Sequence, residues 1–319
     1  MNRPNAFYSL ASSVIVCLAL VGASEASVPR AFVSISGSDT NPCSAVQPCR
    51  SFNQALTVVQ PGGEIVVQNS GGYSTGFTIT QSVTIDAAGF NASVISAGAG
   101  DLCTINAGPS DRVVLRGISF HGAGVGQNAI NATQIGSLYV EHCSISEFNA
   151  AGVRMFNGGN LWITDTSVRA CFDGIDAGVS GATAAHLVVQ DSQISESRNA
   201  GVFVSSNGTA PATGLLVNCI AALGNGPGFS ATSDQSADVE ITLVNCRGFG
   251  NSFGVASEAR STGNATIRIG GCVLTGNVTG IAAFAHSTGV PSVLGTSPGT
   301  NFISGNSTDG TTTGSATLK

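Results

Sequence analysis

From residue 113 onward one pattern recurs at spacings of 25, 23, 26, 27, 27 and 26 residues. Its lines open on Val113-Val114-Leu115, Leu138-Tyr139-Val140, Leu161-Trp162-Ile163, Leu187-Val188-Val189, Gly214-Leu215-Leu216, Ile241-Thr242-Leu243 and Ile267-Arg268-Ile269. Three residues beyond each opening triplet stand Ile118, Cys143, Thr166, Ser192, Cys219, Cys246 and Cys272. Each line closes on a glycine followed by an apolar residue, such as Gly152-Val153, Gly174-Ile175 or Gly201-Val202. Repetition at a fixed period is the mark of a solenoid or an array.

The spacing inside a line decides what the repeat is. Apolar residues alternate with a period of two, which is strand spacing, and Gly, Asn and Ser interrupt every line before a helix could form. A propeller blade would need about 40 residues. A turn this short, built of short strands, fits a coil that stacks on its neighbours through parallel hydrogen bonds about 4.8 Å apart. Residues 64–307 then form a parallel β-helix of roughly ten coils, a rod about 50 Å long. Within it, Asn149, Asn225, Asn251 and Asn277 each precede a repeat glycine by three residues and are expected to stack as a structural column.

Composition agrees with an elongated shape. Only 9% of residues are charged, against about 25% in an average soluble domain. Ser, Thr, Asn and the 42 glycines can hydrate a long surface without ionising. The formal net charge is −6 and the single lysine is Lys319, so no basic run exists to neutralise phosphates and nucleic acid is excluded as a partner.

Residues 1–26 read as a signal peptide: Arg3, an apolar run from Leu10 to Val21, then small residues with cleavage expected after Ala26. The expected location is secreted, periplasmic or cell-surface, with no membrane span in the mature chain. Residues 27–63 form a leading segment. Within it Ser51 and Gln54 make a capping box, and Phe52, Ala55, Leu56 and Val59 share one helical face. That short helix is expected to cover the first coil, and Pro61-Gly62-Gly63 ends it. Residues 308–319 are expected to be a loose tail. In an oxidising compartment Cys43 and Cys49 are expected to pair. Cys219, Cys246 and Cys272 share one coil position and are expected to stay as buried thiols. Three ligands in a line cannot surround a metal, so no metal site is expected there, and no cofactor is expected either.

Phe32-Val33-Ser34, Gly37-Ser38-Asp39-Thr40-Asn41-Pro42-Cys43, Pro48-Cys49-Arg50-Ser51-Phe52 and Gly62-Gly63-Glu64-Ile65 resemble the N-terminal segment of bacterial secreted right-handed parallel β-helix repeat proteins. The coils resemble the pectate-lyase-like superfamily in architecture. The resemblance implies an all-β, single-stranded right-handed parallel β-helix with a short N-terminal capping helix. Members of that superfamily include polysaccharide lyases, glycoside hydrolases, pectin esterases, phage tailspikes and adhesins, so the fold alone selects no reaction.

Two places on the outer surface carry chemistry. Asp173-Gly174-Ile175-Asp176 places two carboxylates beside Arg154, which holds the position of Asp176 one coil earlier. The stretch partly resembles polygalacturonase-type enzymes but lacks their paired Asp-Asp, Gly-His-Gly and Arg-x-Lys. It is therefore expected to be a turn residue and a surface ion pair. His142, Asp165 and Asp191, continued by Asn218 and Asn245, fall at one corner and are expected to serve turn geometry. Tyr139 and Trp162 lie in an outward apolar stripe with Val114, Val188 and Leu215, a stacking surface for sugar rings unless a loop or the tail covers it. With short loops between coils, the expected function is non-catalytic: an extracellular β-helix engaging glycan or cell-surface material through Tyr139 and Trp162. The alternative is a carbohydrate-active enzyme, a polysaccharide hydrolase or lyase, with its site at Arg154, Asp173 and Asp176.

Overall fold

The computed structural model describes residues 27–295 and 300–315. The expected signal peptide, residues 1–26, lies outside the described residues. The chain winds through three parallel sheets in a fixed order, visiting a twelve-stranded, then a ten-stranded, then a nine-stranded sheet on every turn. About nine turns are complete, one fewer than the repeat count suggests, because the first and last passes do not contribute a strand to every sheet.

Alternation sets the register. In the twelve-stranded sheet Leu138 pairs with Val113 below and Leu161 above, and Val140 with Leu115 and Ile163. All six side chains are fully buried. In the nine-stranded sheet the apolar residue after each repeat glycine forms one inward column, with Val153 on Ile175, Val202 on Ile175 and Phe229 on Val202. Parallel strands that bury one face in this way read as period-two sequence, which is why the repeat was visible.

Two corners repeat with equal regularity, and each is made by a residue in the left-handed region. Between the twelve- and ten-stranded sheets these are Gly117, His142, Asp165, Asp191, Asn218, Asn245 and Gly271. Between the ten- and nine-stranded sheets they are Glu147, Ala170, Glu196, Leu223, Gly250 and Gly276. The residue after the first corner points inward, so Cys219, Cys246 and Cys272 do stack, each fully buried. Their Sγ atoms lie 3.4, 3.4 and 3.5 Å from the carbonyl oxygens of Val189, Leu216 and Leu243 in the coil below.

The residue after the second corner carries the asparagine ladder. Asn277 Oδ1 accepts from the Asn251 backbone N–H, and Asn306 Oδ1 accepts from that of Asn277. Asn277 Nδ2 donates to Gly248 O and to Asn306 Oδ1, both at 2.9 Å. Asn149 and Asn225 do not join this ladder; both are exposed. Ala222 pairs with Phe249 and Pro227 with Phe253, so the earlier coil carries one extra residue and Gly224, not Asn225, lies against Asn251.

At the N-terminal end the helix runs Phe52–Val58, capped by Ser51, whose side chain accepts from the Gln54 N–H. Asp39 completes the cap by accepting from the N–H groups of Arg50 and Ser51 and from the Ser51 hydroxyl. Phe52 stacks on Tyr73 and meets Phe77 edge-on, seating the helix on the first coil. Cys43 and Cys49 form a disulfide with Cα atoms 4.6 Å apart. At the other end the expected loose tail is tied down as far as residue 315. Thr308 O and Asp309 O accept from Gly280 and Ile281, and Gly314–Ser315 pairs with Leu294 and Gly295. Among the described residues no helix is long and apolar enough to cross a membrane.

Candidate functional site

The outward column of the nine-stranded sheet runs Thr104, Asn131, Arg154, Asp176, Phe203 and Ser230. Arg154 and Asp176 are thus neighbours through parallel pairing, as the repeat spacing implied. The expectation of an exposed ion pair fails on burial: Asp176 is only 9% exposed. Arg154 Nε stands 3.3 Å from Asp176 Oδ2. The alignment falls short of a hydrogen bond and leaves Arg154 Nε buried without a partner; Asp176 Oδ1, on the other side of the carboxylate, is likewise buried and unpartnered. A buried polar atom left unpaired costs about 1–3 kcal/mol, and such atoms concentrate where a ligand or a reaction uses them.

Burial, with the neighbouring Asp173 charge, pushes the Asp176 carboxyl up to about 7 despite the opposing charge of Arg154. Asp173 is different. Burial raises its pKa as well, but its Oδ1 accepts from Asn199 Nδ2 at 2.8 Å and from the Ala200 N–H at 3.1 Å, which favours the charged form. One carboxyl keeps an oxygen without a hydrogen-bond partner, while the other accepts from two donors. That asymmetry favours the proton on Asp176 over Asp173.

Neighbouring residues fix the arginine. Its guanidinium carbon lies 4.9 Å from the centroid of the Phe156 ring. Gly178, one coil on, leaves room for that ring: a Cβ there would meet Phe156 at 2.9 Å. Below, Asp101 accepts from Asn128 and Asn131, so its oxygens are already engaged. Sequence reading missed Phe156, Asn199 and Phe203. Phe203 could have been found, because it follows Gly201 at the same offset by which Asp176 follows Gly174.

The second candidate surface is less open than expected. Tyr139 and Trp162 stack with ring centroids 4.6 Å apart and planes 4° from parallel. Arg112 covers the other face of Tyr139 at 4.3 Å. Both faces of the tyrosine are therefore occupied, and Trp162 has one face left, toward its strand neighbour Val188. Val114, expected in the exposed stripe, is buried, while Leu215 is 41% exposed. The corner residues hold turn geometry: His142, Asp165, Asp191, Asn218 and Asn245 all have φ between 47° and 56°. Among the described residues no group of three or more His, Cys, Asp or Glu side chains is placed to hold a metal ion.

A three-sheet parallel coil of this kind, with a polar cluster on its outer wall, defines a β-helix protein. The family model described as "Right handed beta helix region" matches residues 63–237, and the chain belongs to that family. No curated protein matches it in sequence. Among solved structures, it resembles XylC in complex with xylose, at 9% identity over 80% of this chain and 69% of that one, with a TM-score of 0.51. A pectate lyase, Pel9A, shares 13% identity over 81% of this chain and 76% of that one, with a TM-score of 0.48. A lacto-N-biosidase from Eubacterium ramulus shares 10% identity over 86% and 67%, with a TM-score of 0.38. Identities this low speak to the fold.

Proposed function

We propose that the chain is a carbohydrate-active enzyme, a glycoside-bond hydrolase, working on the outer wall at Arg154, Asp173 and Asp176. The observation that carries this reading is the buried Asp176 carboxyl with an unpartnered Oδ1, set beside a second, hydrogen-bonded carboxylate. Protonated Asp176 donates to the leaving glycosidic oxygen as the bond to the anomeric carbon breaks. Asp173 takes a proton from the incoming water, or attacks that carbon itself and is released by water afterwards. Arg154 keeps the Asp176 carboxyl from rising further and so preserves its ability to give up the proton.

The non-catalytic reading, glycan binding on Tyr139 and Trp162, ranks second because the rings spend their faces on each other and on Arg112. Secretion, if the signal peptide is used, would place either activity among extracellular polysaccharides. The test is incubation of the purified protein with a broad polysaccharide panel. New reducing ends, abolished in Asp176→Asn and retained in Trp162→Ala, are expected. Glycan binding without any cleavage, lost in Trp162→Ala, would instead establish the second reading.

A further inference from the structure

We propose that the wall beside Asp176 binds an uncharged sugar unit, its apolar face laid against the ring of Phe203. This rests on the hydrolase reading for what happens next, but the binding site itself does not.

Two observations converge. First, Phe203 is the direct outward neighbour of Asp176 in the next coil, one strand spacing of about 4.8 Å away. It is partly exposed and is the apolar ring next to Asp176 in this column. A sugar stacked on it would place ring hydroxyls or the glycosidic oxygen beside the Asp176 carboxyl, which its ion pair leaves one hydrogen bond short. Second, charge selects against an acidic ligand. Among the described residues Arg154 is the only cation in the strands of this sheet, and it already faces Asp176. Nearby Arg198 is turned to Phe148 O and Asn149 Oδ1. Against these stand Asp101, Asp173 and Asp176. A uronate or sulfated sugar would bring an anion to a wall with more carboxylates than free cations, and desolvating it there without a partner is costly.

The probe is calorimetric titration of the Asp176→Asn protein, which binds without turnover, with neutral xylo-, gluco- and galacto-oligosaccharides and with oligogalacturonate. Saturable binding of at least one neutral series, with oligogalacturonate binding weaker, is expected. Adding Phe203→Leu, which keeps apolar volume but removes the flat face, should weaken that binding by about tenfold, while Phe203→Tyr retains it. Tighter binding of oligogalacturonate, equal affinity in Phe203→Leu, or no binding by any neutral series overturns the proposal. Wild-type turnover is read separately. Neutral binding without cleavage removes Asp176 from catalysis and leaves this inference standing, whereas cleavage of polyuronate alone does the reverse.

Discussion

Arg154 and Asp176 hold the same outward position in consecutive coils, yet the arginine reaches its partner's Oδ2 at 3.3 Å and leaves Oδ1 with no hydrogen bond. A structural ion pair of this burial would be expected to satisfy both oxygens. The incomplete pairing is what separates this coil from its neighbours.

Proton linkage follows from it. The Asp176 carboxyl is raised to about 7, above the roughly 3.9 of an unfolded aspartate. Its contribution to stability is therefore full below about pH 4 and is lost as pH rises through about 7. Asp176→Asn removes that loss. The stability of the variant relative to wild type should grow by up to a few kcal/mol, on the order of 1.4 per unit, between pH 4 and pH 8. Denaturant melts at several pH values measure it, and a difference that stays flat would show that Asp176 is not raised. Activity, in parallel, should fall as pH climbs through 7.

Removing the arginine moves the same group in a known direction. Arg154 opposes the rise at Asp176, so Arg154→Met should push the Asp176 titration to higher pH. Carboxyl carbon shifts followed by NMR would report it. A downward movement would mean that Arg154 acts mainly by shielding the site from water.

The asparagine ladder predicts an asymmetry between two residues that look alike in sequence. Asn277→Ala strips the partners from Gly248 O and the Asn251 N–H inside the structure, costing about 2–4 kcal/mol. Asn225→Ala, at an exposed position outside the ladder, should stay within about 0.5 kcal/mol. Equal losses in paired denaturant titrations would refute the shifted register.

Thiol chemistry reports core integrity. The free cysteines Cys103, Cys143, Cys171, Cys219, Cys246 and Cys272 are all buried, and burial pushes Cys143 up to about 12 and Cys171 to about 11. The folded protein should leave all six unreactive to an aromatic disulfide reagent at pH 8, and denaturant should release them together.

How much of this was readable beforehand depends on what each feature is made of. The inward columns were legible because strand alternation and the period act on every coil, and Cys219, Cys246 and Cys272 fixed their register by identity alone. The Asn225 error came from measuring back from the glycine, when the extra residue lies between the corner and that glycine. Position could place Arg154 beside Asp176, but not the burial of Asp176. That depends on packing between adjacent coils, which no single line of sequence specifies. The Tyr139–Trp162 adjacency was legible as well; the direction of the ring faces, which decides their use, was not.

The helix at Phe52–Val58 gives the molecule a polarity in time as well as in space. With the underside of the first coil closed by Phe52 on Tyr73 and Phe77, every later coil finds its pairing partner in chain already laid down. Assembly can therefore advance in the order of synthesis, like courses of brick on a finished foundation, without any strand waiting for a distant part of the polypeptide to emerge.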